Sequence, residues 1–490
     1  MMERKIPRCM STQHPDNARI PFFSDGSIID GETEIKEAYY VFSHLGCEEQ
    51  MWDYEGKEVD NFVVKKLLSR YEDFFRRNML GKDVFITPRL PNPSVEKAEA
   101  KILLETLESI PRSFDAARLF YKNTYPIFEV ILPMTTSHLE LNRVYEYYKR
   151  FVAGKANFKF SDGTTIREWI GEFYPEEIRI IPLIEDKKGL LGIKEIIAKF
   201  IADKELGYQR VFLARSDPAL NYGLVPAVLM NKFALASLYE VEEEHSIEIF
   251  PIIGKGSCPF RGNLNPYRAR DVMKEYPYVH TFTIQSAFKY DYPEERVREA
   301  IESIKGNNKR KYEEELDNAF IELIERYSLR YRACIESIAD LINKISRYVP
   351  QRRKRKLHIG LFGYSRGIGK KTLPRAIKFC CALYSLGIPP EIIGMDGISI
   401  KDLEQVSCVY RKLFVDLSDA LRFVNKRNVV RFLPNGKKLL RVVEQAGIEY
   451  EVDKEHEMLT SQIVKILGKN NKEVLGEYIT KAATIRRFLG

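Results

Sequence analysis

Short apolar runs alternate with longer amphipathic stretches along most of the chain. The runs are rich in β-branched residues and have the length of buried strands, whereas stretches such as 192–201 carry apolar residues at helical spacing. Near-continuous apolar strands separated by helices are typical of a parallel sheet covered on both faces. The runs lie at 84–87, 127–132, 178–184, 210–214, 247–253, 279–284 and 357–362, and the segment before His14 makes an eighth strand.

This pattern predicts an α/β protein built on a closed (β/α)8 TIM-type barrel. An open, doubly wound sheet is the alternative, but it needs a glycine-rich phosphate loop after its first strand, and the sequence has none there. Residues 293–350 read as a charged helical insertion between strands seven and eight, and 396–490 as a helical C-terminal region. The barrel core then covers about 6–292 and 355–395 of a single domain, 1–490.

Composition narrows the setting without fixing the function. The chain of 490 residues is 44% hydrophobic, yet no apolar run approaches the length of a membrane span, and the first residues lack a signal peptide. Seven scattered cysteines without a Cys-x-x-Cys pair argue against a disulfide framework or a structural zinc site. We therefore expect a cytoplasmic protein, without a membrane partner, whose thiols are reduced and mostly buried.

A formal charge of +8 favours an anionic partner, which could be a metabolite or a nucleic acid. The one dense basic run, 351–356, could be a nucleic-acid patch. Because it leads directly into an apolar run, a solvated loop is the favoured interpretation, and no nucleic-acid partner is expected.

Barrel enzymes build their active sites at the carboxyl ends of the strands. Glu185 and Asp217 follow runs that we number as strands four and five, which are neighbours. Two such carboxylates can share one Mg²⁺ or Mn²⁺, although either alone could be a helix N-cap. The other predicted strand ends carry His14, Arg89, Lys255, Gln285 and Arg366.

Two glycine-containing loops add candidate anion sites. Segment 254–263 places Lys255 and Arg261 among glycines whose N–H groups can approach an anion, with a solvated loop as the alternative. Segment 363–372 resembles a P-loop but has the wrong spacing. It still follows the predicted last strand, where this fold commonly binds phosphate, so Arg366 and Arg375 are candidate phosphate ligands. These residues suggest a site with a metal, a phosphate-bearing acidic substrate and a histidine that moves a proton. This combination indicates enolate or phosphoryl chemistry.

The segments Ser11-Thr12-Gln13-His14-Pro15-Asp16-Asn17 and 256–262 closely resemble the archaeal-type phosphoenolpyruvate carboxylase family, and the likeness extends to 482–490. The resemblance implies that phosphoenolpyruvate and bicarbonate give oxaloacetate and phosphate through carboxyphosphate and the enolate of pyruvate. It also implies, by analogy with the long carboxylases, a homotetramer.

The resemblance further implies a role for each matching residue. His14 would be the base, Glu185 and Asp217 the metal ligands, and Lys255 and Arg261 the side chains that retain CO₂. The substrate would be bound by Arg89, Gln285, Arg366 and Arg375, and Arg366 would also act in catalysis. Ile253 stands where the long carboxylases have a loop histidine, so the role of that histidine is not carried over.

Two other functions remain open on the sequence alone. One is another metal-dependent barrel enzyme acting on phosphoenolpyruvate or pyruvate, such as a phosphotransferase or an aldolase. The other is nucleic-acid binding through 351–356, which predicts strongly salt-sensitive binding. Dependence on bicarbonate distinguishes the carboxylase from both.

Overall fold

The computed structural model describes residues 5–56, 59–98, 100–122, 124–354, 362–369, 371–468 and 472–490. Its centre is a closed barrel of eight parallel strands, which follow one another around the barrel in chain order and confirm the predicted fold class. The strands are β1 Cys9–Ser11, β2 Glu49–Asp53, β3 Phe85–Arg89, β4 Glu129–Leu132, β5 Arg179–Ile184, β6 Tyr208–Ala214, β7 Glu248–Gly254 and β8 Thr281–Ile284.

Helices surround the barrel and continue beyond it. Between β1 and the end of the barrel region lie α1 Gly31–Ser43, α2 Val63–Arg70, α3 Glu72–Arg77, α4 Ile102–Arg118, α5 His138–Tyr147, α6 Ile166–Ile170, α7 Lys187–Leu191, α8 Ile193–Ile201, α9 Ser216–Tyr222, α10 Leu224–His245, α11 Ala269–Glu275, α12 Ser286–Tyr290 and α13 Glu294–Lys305. The rest of the chain carries α14 Ala319–Ser346, α15 Ala376–Ser385, α16 Ile400–Val409, α17 Leu413–Leu421, α18 Lys426–Phe432, α19 Gly436–Gln445, α20 Lys454–Leu467 and α21 Lys472–Arg486. The helical C-terminal region is thus confirmed.

The predicted strand order was wrong in two places. Strand β2 was missed because its inward-facing positions include Glu49 and Asp53, so the segment lacks the apolar pattern expected of a barrel strand. The predicted last strand, 357–362, falls almost wholly outside the described residues. Strand β9 (Phe362–Ile368) pairs antiparallel with β10 (Lys371–Pro374) in a separate two-stranded sheet, so this segment does not supply the eighth barrel strand.

This changes the place of the helical segment 293–350. It follows β8, the last barrel strand, instead of interrupting the barrel between strands seven and eight. Within it, the 28-residue helix α14 packs along α9, α10 and α15. The segment therefore joins the barrel to the C-terminal helices, and the extent of a single domain stays a prediction.

The barrel interior is filled by an apolar layer above a layer of buried charge. The apolar layer contains Met10, Met51, Ile131, Ile181, Leu183, Phe212, Ala214 and Ile252. Nearer the amino ends of the strands, Arg210 donates to Glu49 at 2.7 Å and to Glu129 at 2.9 Å, and all three residues are buried. The charged layer closes this end of the barrel, so the opposite, carboxyl end remains for a site.

We expect Arg210→Met to lower the free energy of unfolding by about 3–5 kcal/mol, because it leaves Glu49 and Glu129 buried without their partner. Chemical denaturation monitored by circular dichroism measures the change. Arg179→Met is a suitable control, since Arg179 is only partly buried and donates to the backbone oxygen of Tyr208. A loss below about 1 kcal/mol for Arg210→Met, the level of an exposed ion pair, would contradict the interpretation.

The structure bears on three expectations from composition: the state of the cysteines, the membrane span and the basic run at 351–356. Six of the seven cysteines are buried and all are free, as predicted. In the part of the chain that the structure describes, one helix, α10, is long and apolar enough to span a membrane by length and composition, but 72% of its most apolar window is buried inside the protein. The predicted solvated loop at 351–356 was wrong for Arg352 and Arg353, which are buried; Arg353 pairs with Glu34 and Glu37.

Candidate active site

The first sector of the barrel mouth links β1, β2 and β3. The side-chain oxygen of Gln13, just after β1, accepts the backbone N–H of Asp53 at 2.9 Å. The Asp53 carboxylate in turn accepts two hydrogen bonds from the guanidinium of Arg89, at 2.7 and 2.9 Å, and Glu55 forms an ion pair with Arg89 Nη2 at 2.9 Å. Arg89 is therefore fixed at the mouth of the barrel, with its fork shared between two carboxylates.

A pair of carboxylates follows β5 and β6, which are neighbouring strands. Burial, followed by the negative charges of Asp217 and Glu55, raises the pKa of Glu185 to about 8, while Arg89 and the N–H of Met134 lower it. That N–H donates to Glu185 Oε2 at 2.8 Å from a backbone with φ of 52°. The raised pKa reflects burial first, and then an excess of negative charge from Asp217 and Glu55 at this point of the mouth.

This excess fits a divalent cation. Mg²⁺ binds through one or two protein carboxylates and keeps its other positions for water and substrate oxygens. The helix-capping alternative fails, because Asp186 caps α7 and Asp217 lies within the first turn of α9. The described residues hold no cluster of three or more His, Cys, Asp or Glu placed around one metal ion, so two carboxylates are the donor set that this site offers.

His14 lies on the loop that leaves β1. Its carbonyl oxygen accepts the N–H groups of Asp16 at 3.0 Å and of Ser286 at 3.2 Å, which fixes the loop against the start of α12. Its Nδ1 lies 2.8 Å from the hydroxyl oxygen of Thr12. The imidazole is partly buried and so combines a fixed position with access from the barrel mouth.

Arg261 joins this loop to the carboxylate pair. Its Nε donates to Ser216, the neighbour of Asp217, at 3.0 Å, and Nη2 donates to Gln285. Its Nη1 lies 3.3 Å from Asp16 Oδ2. Contacts therefore run around the mouth from β1 to β3 on one side and from β1 through β8 and β7 to β6 on the other. The structure brings His14, Arg89, Glu185, Asp217, Arg261 and Gln285 to one edge of the barrel.

The loop carrying Arg261 is packed into the protein. Residues 255–265 are all buried, so the alternative of a solvated loop was wrong. Lys255 donates to the carbonyl oxygen of Gly262 at 3.4 Å, and its ammonium lies 4.1 Å from the centre of the Tyr276 ring. Burial, and then the charges of Arg215 and Lys412, hold the pKa of Lys255 well below its usual range. These contacts tie Lys255 to its own loop, and its role beside CO₂ stays a prediction.

The two remaining candidates lie on elements that pack against the helix of Asp217. Helix α9 contacts β9, α15 and the turn Pro259–Arg261. Arg366 lies on β9, although its side chain is outside the described part of the chain, and Arg375 immediately precedes α15. Residue 366 therefore lies on a hairpin outside the barrel, and the prediction that it follows a barrel strand was wrong.

Several side chains in these contacts were not predicted, among them Gln13, which was only quoted within the first motif. Asp53 and Glu55 belong to the missed strand β2 and its exit. Asp16 was quoted within the first motif and Ser216 beside Asp217, but neither was given a role. The sequence signal for β2 was the large apolar Trp52 among the polar residues of 49–55, and Trp52 is 0% exposed in the structure.

Gly490 also contacts the site. Its carbonyl oxygen accepts a hydrogen bond from Arg261 Nη1 at 2.6 Å, and the preceding Leu489 N–H donates to the carbonyl of Asp16 at 2.7 Å. A Cβ at Gly490 would lie 2.2 Å from the backbone oxygen of Ile377 and 2.6 Å from the N of Cys381. Only glycine fits there without moving the backbone.

Gly490→Ala should therefore displace one partner of Arg261 and reduce kcat by about 100-fold, the cost of misplacing a catalytic group by about 1 Å. Gly476→Ala on α21 is the control, since its Cβ would meet only a backbone oxygen at 3.5 Å. Steady-state kinetics and the melting temperature separate the two effects. Full activity in Gly490→Ala would show that this contact does not position Arg261.

Comparison with known proteins gives matches over nearly the whole chain. A family model described as phosphoenolpyruvate carboxylase matches residues 6–490. The phosphoenolpyruvate carboxylase of Methanothermobacter thermautotrophicus is 51% identical over 490 residues, covering 99% of this chain and 100% of its own. That of Pyrococcus abyssi is 49% identical over 494 residues, with the same coverage of both chains. Among solved structures, Haloferax volcanii malate synthase covers 71% of this chain and 96% of its own at 10% identity, with a TM-score of 0.38, too low to bear on function.

Proposed function

The chain belongs to the archaeal-type phosphoenolpyruvate carboxylase family, and on this premise we propose that it carboxylates phosphoenolpyruvate with bicarbonate, giving oxaloacetate and phosphate. The observation that supports this most is that six residues from separate parts of the sequence meet at one barrel mouth, where burial and the charges of Asp217 and Glu55 raise the pKa of Glu185. The substrates, the mechanism and the metal are parts of the proposal. A cytoplasmic homotetramer remains the expectation for the protein in the cell.

The phosphate of phosphoenolpyruvate needs cations around it. We assign this role to Arg366 and Arg375, whose elements pack against α9, and to Arg89. The Arg89 fork is already held by Asp53 and Glu55, so it is oriented before the substrate binds. Preorganised donors of this kind stabilise charge without the cost of reorganising water.

Glu185 and Asp217 would hold the divalent cation. When bound, the cation supplies positive charge to the phosphate and enolate oxygens, where negative charge develops during the reaction. The two carboxylates would hold the cation at the mouth of the barrel. The Met134 N–H fixes one oxygen of Glu185 by donating a hydrogen bond to it.

The reaction starts when a bicarbonate oxygen attacks phosphorus and the P–O bond to the enol breaks, which gives carboxyphosphate and the enolate. His14 then takes the proton of the carboxyl group, and the carboxyphosphate C–O bond breaks to give CO₂ and phosphate. The enolate carbon attacks the CO₂ carbon to form oxaloacetate. Lys255 and Arg261 sit in a packed, buried loop, which excludes water from this last step.

Omission of each reactant tests the function. A malate dehydrogenase-coupled assay should show oxaloacetate only when phosphoenolpyruvate, bicarbonate and Mg²⁺ are all present. With ¹⁸O-labelled bicarbonate, the phosphate should gain one labelled oxygen, because bicarbonate attacks phosphorus. A phosphotransferase or an aldolase would turn over without bicarbonate, and unlabelled phosphate would exclude the carboxyphosphate route.

Arg261→Ser should change the product and not only the rate. If Arg261 retains CO₂ beside the enolate, its loss lets CO₂ escape and the enolate take a proton, so pyruvate replaces oxaloacetate. Lactate and malate dehydrogenases measure the two products in parallel. An unchanged product ratio in a folded variant would remove Arg261 from the CO₂ site.

A further inference from the structure

The structure places the side chain of Thr12 against a ring nitrogen of His14. Its Oγ1 lies 2.8 Å from His14 Nδ1, within hydrogen-bond distance. The Thr12 residue is completely buried, whereas the imidazole is only partly so. The Nδ1 side of the ring therefore faces a fixed protein group.

The backbone of Thr12 is held from two directions. Its N–H donates to the carbonyl of Ile284 in β8 at 2.9 Å. Its carbonyl accepts from Lys289 Nζ at 3.3 Å. The Thr12 hydroxyl is therefore attached to a backbone that cannot shift without breaking hydrogen bonds to β8 and α12.

Lys289 is itself anchored. It is buried, donates to Ser11 Oγ at 2.9 Å and pairs with Glu37 at 3.0 Å. Burial raises the pKa of Glu37, but the charges of Arg353 and Lys289 outweigh burial and bring this pKa down to about 2. Burial lowers the pKa of Lys289, while the charge of Glu37 raises it. Glu37 is therefore the partner that stays ionised and holds Lys289 in place.

We propose that Thr12 is the positioning residue of His14, accepting the Nδ1–H so that Nε2 is the nitrogen that takes the substrate proton. The inference rests on the proposed function, because it needs His14 as the base. A neutral imidazole carries one N–H, and the partner of one nitrogen decides which nitrogen remains an acceptor. With the proton on Nδ1, both the neutral ring and the imidazolium formed after proton transfer keep the hydrogen bond to Thr12.

Three variants separate positioning from packing. Thr12→Val keeps the shape but removes the acceptor, and we expect kcat to fall about 10- to 100-fold, the usual cost of losing an orienting partner, with KM for phosphoenolpyruvate unchanged. Thr12→Ser restores the hydroxyl and should restore kcat. Ser11→Ala removes a neighbouring hydrogen bond to the same Lys289 without touching His14, so it measures the effect of loosening the anchor alone and should cost much less kcat than Thr12→Val.

Nitrogen-15 NMR of labelled histidine provides a readout independent of activity. The chain has seven histidines, and the signal missing in His14→Gln identifies His14. The wild-type protein should show the proton of the neutral ring on Nδ1, and Thr12→Val should shift the population toward Nε2. A wild-type proton on Nε2, or the same tautomer and kcat in Thr12→Val, would overturn the proposal.

The two proposals can fail separately. If the wild-type protein makes no oxaloacetate, the carboxylase function fails, while the wild-type tautomer still decides the contact between Thr12 and His14. If Thr12→Val does not fold, the tautomer in the wild-type spectrum and the kcat of Thr12→Ser together decide whether Thr12 positions His14. Loss of kcat in Thr12→Ser equal to that in Thr12→Val would also contradict positioning by the hydroxyl.

Discussion

Glu185→Gln should reduce kcat for oxaloacetate formation by about 100- to 1,000-fold, the range typical for removing one stabilising group from a developing charge. The substitution keeps the shape of the side chain and the hydrogen bond from Met134 N–H, but it removes one of the two charges that would bind the cation. Binding of Mn²⁺, followed by electron paramagnetic resonance, should weaken in parallel.

The pKa of Glu185 adds a second readout to this experiment. Because that pKa is raised to about 8 in the metal-free protein, the carboxyl group is mostly protonated at pH 7. Metal binding requires the carboxylate and should release a proton there. Calorimetry in buffers of different ionisation enthalpy should detect release near pH 7 in the wild type and its loss in Glu185→Gln.

Asp186→Asn is the matched control for Glu185→Gln. Asp186 is the next residue and bears the same charge, but its side chain caps α7 by accepting the N–H of Gly189 at 2.7 Å. Asparagine caps helices as well as aspartate does. Equal losses of Mn²⁺ affinity in the two variants would mean that general charge, and not a ligand at Glu185, governs metal binding.

His14→Asn should separate the two halves of the reaction. Without the base, oxaloacetate formation is expected to fall about 100- to 10,000-fold, the contribution of a general base. Attack of bicarbonate on phosphorus does not use His14, so bicarbonate-dependent conversion of phosphoenolpyruvate to pyruvate and phosphate should persist. Phosphate release and oxaloacetate, measured in the same reaction, give the two rates.

The exposed His44 provides the control for this prediction. His44→Asn removes an imidazole from the end of α1 and should leave both rates unchanged. If His14→Asn forms oxaloacetate at the wild-type rate, another group is the base. If both rates fall together, His14 acts before carboxyphosphate is formed.

The sequence predicted the barrel because most of its strands are apolar on both faces. It failed at β2, where Glu49 and Asp53 point into the barrel and remove the apolar signal. It failed again at 357–362, whose apolar run resembles a barrel strand and leads into the hairpin of β9 and β10. At β2 the decisive contacts are long-range, as between Glu49 and Arg210, and local periodicity does not encode them.

The place of a residue at the barrel mouth was predictable where it closely follows a strand, as with His14, Glu185 and Gln285. The residues that hold those side chains in place were not. Asp16 contacts Arg261 across 245 positions, and Gly490 contacts it across 229. Such pairings arise from the closure of the barrel and the return of the C-terminal helices, so they follow from the fold and not from any one motif.

A crystal structure with Mn²⁺ and a non-reactive phosphonate analogue of phosphoenolpyruvate tests the account most directly. We expect one anomalous peak at coordination distance, about 2.1 Å, from carboxylate oxygens of both Glu185 and Asp217, with the phosphonate between that ion and the side chains of Arg366 and Arg375. His14 should face the analogue from the same mouth. A metal bound elsewhere, or an analogue bound at the amino end of the barrel, would contradict it.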